Sequence, residues 1–225
     1  MNYIWDVTNT KTYNNSMGRY KFQKEFEFIK KHIADNTVNV LDIAGGSGRF
    51  AIPLINYCSD ITVIDINEEA IAILQKRSDK IKAIWEDFNH FLVEQQYKII
   101  LCIEGFGYFE NKNLFFEKIN ALLAENGTFI FTSLNPRSWR FYLRNIIHSL
   151  KGTSTKYYDL NIQKLAILLN KHNLRIEGIE GMHWIPLPLS SNCKMVSAFA
   201  YIEHKLRLHK YLKQSPMWLI AVKKY

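Results

Sequence analysis

The segment VLDIAGGSGRF, residues 40–50, combines an apolar run with three closely spaced glycines, Gly45, Gly46 and Gly48. An apolar run that breaks into glycines indicates a strand, a tight turn and the start of a helix. Glycine accepts positive φ angles and lets a ligand approach the main chain, and the free N–H groups of a helix N-terminus can bind that ligand. The segment therefore predicts a ligand-binding loop.

Two kinds of ligand compete for this loop, and a third is excluded. No Gly-Lys-Ser/Thr sequence follows the glycines, which excludes a P-loop. Gly46, Gly48 and Ala51 match the G-x-G-x-x-A fingerprint of dinucleotide sites. Asp65 lies about 20 residues further on, where such a site carries a ribose-binding acid. These residues alone favour NAD, but the other acids of the chain point elsewhere.

Three aspartates accompany consecutive predicted strands. Asp42 lies inside the strand before the glycine loop, Asp65 ends the next strand, and Asp87 follows the third, directly before Phe88. Each aspartate alone could be a solvated strand end or a helix N-cap. Three in order behind a glycine loop are hard to explain in that way, so we interpret them as parts of one binding site.

The elements that must position these residues alternate along the chain. Strands are predicted in VNVLDIAGG and at 61–65, 81–85, 98–103, 128–134, 174–180 and 217–222. Helices are predicted at 21–35, 49–57, 67–77, 112–124, 138–150, 161–172 and roughly 194–213. Such alternation indicates a doubly wound α/β fold, a parallel sheet covered on both faces. The late helix and strand suggest that the last strand inserts beside its predecessor.

Over about residues 20–135, and again at 217–222, the sequence resembles the class I S-adenosylmethionine (SAM)-dependent methyltransferases. The glycine loop is similar to the family's first motif, with Ala44 where a glycine commonly stands. ILCIEGFGYF is similar to the fourth motif, although Tyr97-Lys98 replaces the usual Phe-Asp before it. The resemblance implies a Rossmann-like, mostly parallel sheet of seven strands with an antiparallel last strand. We expect one domain over 1–225, with lid helices at 1–35 and cap segments at 136–160 and 186–215.

The resemblance also assigns roles in binding SAM. Asp42 would orient the loop and the amino-acid end of SAM, and Asp65 would bind both ribose hydroxyls, which suits a carboxylate because both its oxygens accept. Asp87 would accept from the adenine amino group, with Phe88 against the ring. N-terminal side chains would close over SAM and pair with its carboxylate. The expected cofactor-binding residues are Tyr13, Arg19, Tyr20, Asp42, Ala44, Gly45, Gly46, Gly48, Asp65, Ile66, Asp87, Phe88 and Ile103.

Three residues are candidates for catalysis. Methyl transfer from a sulfonium is an in-line displacement, so alignment of the reactants carries much of the rate. A hydroxyl acceptor usually requires a general base, whereas an amine must only be neutral. His183 lies in GMHWIPLP after the sixth strand, and Glu104 and Tyr108 follow the fourth. No Asn-Pro-Pro-Tyr/Phe sequence indicates methylation of an adenine or glutamine amino group, and no spacing indicates a metal site.

A basic segment is expected over the acceptor. Residues 137–158 contain Arg137, Arg140 and Arg144, with Lys151 and Lys156, and no acid. Ligands of open α/β sheets bind at the carboxyl ends of the strands, where this segment should lie. The three arginines therefore predict an anionic small-molecule acceptor, such as a sugar, a natural product or a nucleotide-bearing metabolite. RNA is the alternative acceptor, and chance charge on a solvated helix is the structural alternative.

The predicted helix at 138–150 can be interpreted in a further way. Its apolar residues, Trp139, Tyr142, Leu143, Ile146, Ile147 and Leu150, share one face, with basic residues opposite. That pattern is typical of a helix on a membrane surface, although most such faces pack against their own domain.

Composition sets the remaining limits. The chain has 225 residues, 48% apolar and 22% charged, with a formal net charge of +8, which indicates a globular protein of one domain. No apolar run reaches the roughly 18 residues of a membrane span, and MNYIWDVTNTKTYNN does not resemble a signal peptide, so a cytoplasmic monomer or homodimer is expected. Three scattered cysteines argue against a disulfide framework. A non-catalytic nucleotide-binding module, and below it an NAD-dependent oxidoreductase, remain as alternatives.

Overall fold

The computed structural model describes residues 14–92, 95–150, 158–188 and 190–225. Within these ranges seven strands form one sheet, and seven α-helices accompany them. The strands are β1 (Asn39–Ile43), β2 (Asp60–Asp65), β3 (Ile81–Trp85), β4 (Tyr97–Cys102), β5 (Leu123–Leu134), β6 (Leu174–Met182) and β7 (Met217–Lys224). The helices are α1 (Ser16–Lys30), α2 (Ala51–Leu54), α3 (Glu68–Arg77), α4 (Lys112–Leu122), α5 (Trp139–Leu150), α6 (Ile162–Lys171) and α7 (Val196–Lys205).

The strand order is β3-β2-β1-β4-β5-β7-β6. Parallel pairing joins β3 through β5, and β7 runs antiparallel to both of its neighbours. The predicted doubly wound sheet with an antiparallel last strand, inserted beside its predecessor, is therefore confirmed. The strand order reverses between β1 and β4. The connections that leave the carboxyl ends of these two strands pass to opposite faces of the sheet, which leaves a crevice between them.

Buried side chains on the two faces of the sheet form two separate cores. Strand residues alternate between them: Val40 and Ile99 belong to one core, Leu41 and Ile100 to the other. Helices α1, α2 and α3 cover the first face. Helices α4 and α6 cover the second, which is rich in phenylalanine. This burial on both faces explains why the strands are continuous apolar runs.

Three helices differ from the sequence prediction by more than two residues at an end. The helix predicted at 49–57 is limited to α2, Ala51–Leu54. Helix α1 occupies Ser16–Lys30 rather than 21–35, because the Asn15 side chain caps it by accepting from Gly18 N at 2.8 Å. The helix predicted at 194–213 is α7 alone, followed after Arg207, at φ 50°, by a short 3₁₀ helix over Leu208–Lys210. The left-handed residue ends the regular helix.

Polar contacts attach the C-terminal elements above the sheet. Asn135, after β5, donates through Nδ2 to the carbonyl oxygens of Lys213 and Ser215, both at 2.9 Å. The Arg140 guanidinium of α5 donates to the carbonyl oxygens of Ile185 and Leu187. No helix in the described ranges has both the length and the apolar character to cross a bilayer.

Candidate active site

The glycine loop follows β1 at the point where the strand order reverses. Its backbone is held by the next strand: Ala44 N donates to Ile64 O at 2.8 Å, and Gly46 N donates to the Asp65 carboxylate at 2.8 Å. Ala44 and Gly46 have φ angles of 57° and 56°, so the replacement of a glycine by Ala44 leaves a left-handed alanine in the loop. The loop therefore keeps a fixed shape without a bound ligand.

Two glycines of the loop have no room for a side chain. A Cβ at Gly45 would lie 2.7 Å from the Asp42 carboxyl carbon, and a Cβ at Gly48 would lie 2.6 Å from Leu74 Cδ1. Gly48 also has a φ of 85°. Gly45 thus lets the loop pack onto Asp42, and Gly48 lets it pack onto α3. The close approach of a ligand to this backbone, expected from the glycines, stays a prediction.

Asp42 is buried beneath the loop with an unsatisfied acceptor. The side chain is 1% exposed, and its Oδ2 has no hydrogen-bond partner within the described part of the chain. Burial raises the pKa of Asp42 to about 7, against the lowering effect of the Arg49 guanidinium. A buried acceptor without a donor costs free energy unless something pairs with it. The position suits the ammonium end of a ligand in the loop.

Asp65 is the last residue of β2, and Asp87 follows the end of β3, as the sequence predicted. Asp65 Oδ2 accepts from Gly46 N, and Oδ1 accepts from Asn67 N at 2.8 Å. Burial raises the pKa of Asp65, and these backbone donors oppose that rise. Asp87 Oδ1 accepts from Asn89 N at 2.8 Å. Ile66, next to Asp65, is 67% exposed and presents an apolar surface beside both acids.

Phe88 does not have the exposure expected for a ring that stacks on adenine. Its side chain is 4% exposed and packs in the phenylalanine core, 5.7 Å from the Phe109 ring and 5.6 Å from the Phe115 ring. The expectation from the resemblance is therefore corrected: Phe88 supports the end of β3 from below. Trp85, 57% exposed, is the open aromatic side chain at this edge, and its Nε1 donates to Ile66 O at 3.1 Å. Trp85 is the last residue of β3, and an aromatic residue at that position of the sequence could have indicated a group that contacts a ligand.

A buried ion cluster lies beside the loop and joins α1 to the end of β4. The Lys21 ammonium contacts the carboxylates of Glu25 and Glu104, and the Arg49 guanidinium lies 3.3 Å from Glu25 and 3.5 Å from Glu104. Lys21 and Glu25 are 2% and 0% exposed. Burial lowers the pKa of Lys21 to about 8, although Glu25 opposes the change. Lys21, Glu25 and Arg49 were not among the site residues predicted from the sequence.

The signal for this cluster was present in α1. Its buried face contains Met17, Lys21, Glu25 and Phe28, spaced three or four residues apart, so two charges interrupt an apolar stripe. Charged residues are almost never buried unless they are paired. A lysine and a glutamate on a core-facing stripe therefore indicate partners elsewhere in the chain.

Glu104 and His183, two of the candidate catalytic residues, both have left-handed backbone, with φ angles of 62° and 71°. Such backbone in non-glycine residues is uncommon and concentrates at functional sites. Thr132 of β5 holds Glu104 by accepting from its N–H at 2.7 Å. The ion cluster already engages the Glu104 carboxylate. We therefore regard Glu104 as a positioning group.

The His183 side chain is largely shielded, and its Nε2 has no hydrogen-bond partner among the residues described. Burial, together with the positive charges of Lys21 and Arg140, lowers the pKa of His183 to about 2. The imidazole is therefore neutral at physiological pH, and its Nε2 is buried without a hydrogen-bond partner among the described residues. Tyr108 lies half-buried in a short 3₁₀ helix (Phe106–Tyr108) after β4, and Ile103 is 6% exposed in the core.

The N-terminal residues assigned to SAM are arranged differently from the expectation. Residues two apart on a helix lie on nearly opposite sides, so Arg19 is exposed where Lys21 is buried. Arg19 donates to the Asn14 carbonyl oxygen. Tyr20 lies beside Glu203 of α7; burial and that carboxylate raise the Tyr20 pKa. Lys21, rather than Arg19 or Tyr20, faces the loop. Tyr13 lies outside the described residues.

The three arginines of the cap also differ from the expectation that all would bind substrate. Arg137 is exposed. Arg140 is committed to the Ile185 and Leu187 carbonyl oxygens, and burial lowers its pKa. Arg144 lies 4.5 Å from the Phe141 ring and near Asp159. Arg140 contributes charge next to His183, whereas Arg144 supports α5 on the domain.

Comparison with known proteins identifies the family. The sequence model described as "Methyltransferase domain" matches residues 16–179, more than half of the chain. The chain belongs to this family. The match spans the glycine loop, the acids that follow it and strands β1 to β5, so the resemblance noted from the motifs is confirmed. The protein is a SAM-dependent methyltransferase.

Individual relatives support the same assignment. The ubiquinone biosynthesis O-methyltransferase of Rickettsia typhi is 29% identical over 168 residues, covering 69% of this chain and 68% of its own. Nodulation protein S of Azorhizobium caulinodans is 28% identical over 143 residues, covering 60% and 69%. The structure of the N-methyltransferase NodS from Bradyrhizobium japonicum, in complex with S-adenosyl-L-homocysteine (SAH), aligns with a TM-score of 0.64, at 15% identity, over 98% of this chain and 91% of that one.

Carboxylate acceptors lie at the strand ends beside the glycine loop. Asp42 has an unsatisfied acceptor beneath the loop, and Asp65 and Asp87 carry acceptors at the ends of the neighbouring strands. Among the described residues, no group of three His, Cys, Asp or Glu side chains is placed to hold a metal ion.

Proposed function

We propose that this methyltransferase modifies an oxygen or nitrogen atom of a small anionic metabolite. The observation that carries the proposal is the environment of His183, whose unpartnered Nε2 lies near the cations Lys21 and Arg140. A further positive charge on the imidazole is unfavourable beside these two cations, which disfavours protonation of His183. An anionic group on the acceptor would offset those cations and stabilise both its own binding and a protonated His183.

The residues around the loop would hold SAM. Asp42 and the glycine loop would bind its amino-acid end, Asp65 the ribose hydroxyls, and Asp87 with Ile66 and Trp85 the adenine. When bound, SAM supplies an electrophilic methyl group on a sulfonium. The protein's part is then to exclude water, align the acceptor and receive its proton.

His183 would receive that proton. Neutral imidazole Nε2 can accept a hydrogen bond from an acceptor O–H or N–H, and general-base catalysis contributes about 10²–10⁴-fold to rate. The positive charges of Lys21 and Arg140 would attract the acceptor's anionic group. Glu104, paired with Lys21 and Arg49, would keep the ammonium in place rather than act as the base.

The names of the relatives support both acceptor atoms. One is an O-methyltransferase and another an N-methyltransferase. Both kinds of acceptor lose a proton during transfer, so a neutral base at His183 fits either one.

The test compares matched acceptors and a matched pair of variants. Purified protein is given SAM and pairs of phenols or amines that differ only by a carboxylate or phosphate, and SAH formation is measured. We expect at least tenfold higher kcat/KM for the anionic member. His183→Asn should lower kcat by about 10²-fold with the SAH dissociation constant unchanged, and the exposed His90→Asn should have no effect.

Three results would contradict the proposal. Preference for the neutral acceptor would exclude recognition of an anionic group by Lys21 and Arg140. Transfer to RNA, with a steep loss of affinity in salt, would replace the small molecule by nucleic acid. Binding of SAM with no transfer to any acceptor pool would indicate a non-catalytic module.

A further inference from the structure

Helix α5 directs arginines toward the protein and most of its large apolar side chains toward solvent. Arg140 points inward and donates to the loop at Ile185 and Leu187, and Arg144 points toward Asp159. At 100° per residue, six of the seven large apolar residues of the helix lie within one arc of about 140°, and Arg140 borders one edge of that arc. They are Trp139, Tyr142, Leu143, Ile146, Ile147 and Leu150. The apolar face is directed away from the domain.

The exposures confirm this orientation. Leu150 is 82% exposed and Tyr142 73%, and the other four large apolar side chains lie between 42% and 50%. Single exposed apolar residues are ordinary, but six on one face of one helix form a patch of the kind that marks a contact with another apolar phase. No described residue of the chain covers it.

Basic residues lie at the N-terminal border of this helix. Arg137 precedes the helix and is exposed, and Asn135 ties that end to the segment of Lys213, which is also exposed. Lys151 follows the helix in sequence, and residues 137–158 contain no acid. An apolar face with aromatic residues and a basic border, without acids, complements an anionic lipid surface.

We propose that the apolar face of α5 binds the surface of an anionic membrane. The 12-residue helix would lie in the headgroup region, with Leu143, Ile146 and Leu150 among the acyl chains. Trp139 and Tyr142 suit the polar boundary, because each joins an apolar ring to a hydrogen-bonding group. Arg137 and Lys213 would meet the lipid phosphates. The proposal goes beyond methyl transfer and does not depend on the identity of the acceptor.

Sedimentation with vesicles tests the proposal without reading activity. The full-length protein is mixed with vesicles of phosphatidylcholine alone or of phosphatidylcholine with phosphatidylglycerol, and the bound fraction is measured. We expect binding to the anionic vesicles only, weakened by salt. The double variant Leu143→Gln/Ile146→Gln should bind at least about tenfold more weakly, because each buried aliphatic side chain is worth about 1.5–3 kcal/mol and 1.4 kcal/mol is tenfold.

Two further variants separate the apolar and electrostatic contributions. Lys213→Gln should lower the partition coefficient by about fivefold, at roughly 1 kcal/mol for each basic residue near the surface. Ile167→Gln on α6, which replaces an aliphatic residue that is 71% exposed, is the matched control and should bind as the wild type. SAH affinity and the melting temperature of every variant establish that the fold is retained.

Several results would overturn the proposal. The proposal fails if the wild type does not bind anionic vesicles. It also fails if the double variant binds them as tightly as the wild type. A wild-type dimer in light scattering that the double variant converts to a monomer would assign the face to a second copy of the chain. A lowered melting temperature of the double variant without lipid would assign it to a segment of the same chain.

Discussion

At the scale of single residues, the Asp65 carboxylate has two backbone donors before any ligand binds, Gly46 N and Asn67 N. The same group is proposed to bind the ribose hydroxyls of SAM. Asp65→Ala should raise the SAH dissociation constant at least tenfold, since a hydrogen bond to a charged group is worth about 1.5–3 kcal/mol. Isothermal titration measures it, with the exposed Asp79→Ala as control. Unchanged affinity would remove Asp65 from the site.

Asp42 predicts a dependence of stability on pH. Burial raises its pKa in the folded protein to about 7 from the ordinary value of 3.8, so between these values the folded state holds a proton that the unfolded state has lost. Stability from this group is therefore complete below pH 4 and falls as the pH rises toward 7, by at most about 1.4 kcal/mol for each pH unit.

Asp42→Asn removes that dependence. Urea unfolding at pH 4.5, 6 and 8 should show the variant gaining stability relative to the wild type as the pH rises. Parallel curves for the two proteins would mean that Asp42 is ionised in the native state throughout.

The residues of the glycine loop could be predicted from sequence, whereas those around His183 could not. Gly45, Gly46 and Gly48 lie close together in one strand-turn-helix unit, and Asp65 ends the strand that follows it. Burial keeps His183 neutral, together with the charges of Lys21 and Arg140, which lie far from it in the chain and approach it only in the folded protein.

At the scale of elements, the ion cluster fixes α1 over the strand ends. Lys21→Met should leave Glu25 and Glu104 without one of their cations, and breaking a buried pair costs about 3–5 kcal/mol. Urea unfolding measures the loss. The exposed pair Lys31–Glu180, 3.0 Å apart, is the matched comparison, and Lys31→Met should cost less than about 1 kcal/mol.

A double variant distinguishes an unpaired charge from lost packing. Glu25→Gln in the Lys21→Met background should recover part of the stability, because it removes the carboxylate that the first change left unpaired. Additive losses in the two single variants would show that Lys21 and Glu25 are not coupled.

The strands were predictable to within a few residues because continuous apolar runs bounded by turns determine them. β3, over 81–85, matches its prediction, and β5 begins earlier than expected, at Leu123 rather than 128. Helix ends were less predictable. Apolar spacing over Phe22, Phe26, Ile29 and Ile33 indicated a helix at 21–35, but the Asn15 cap and the charged buried face place it earlier.

At the scale of the whole molecule, β7 holds the C-terminal part of the sheet together. Seven residue pairs join it to β5, and it is the sole strand partner of β6 among the described residues. A chain shortened to end at Pro216 should therefore lose cooperative unfolding, which circular dichroism during heating would show. A sharp transition near the wild-type melting temperature would mean that strands β1 to β5 fold without β7.

The position of β7 between β5 and β6 also affects how the chain folds during its synthesis. On the ribosome, β5 and β6 emerge before the strand that must lie between them, so both expose unpaired edges while synthesis continues. Direct pairing of β5 with β6 in this interval would close the gap and trap the chain in a wrong topology. Efficient production thus depends on how quickly residues 217–224 arrive, and on chaperones that shield those edges until then.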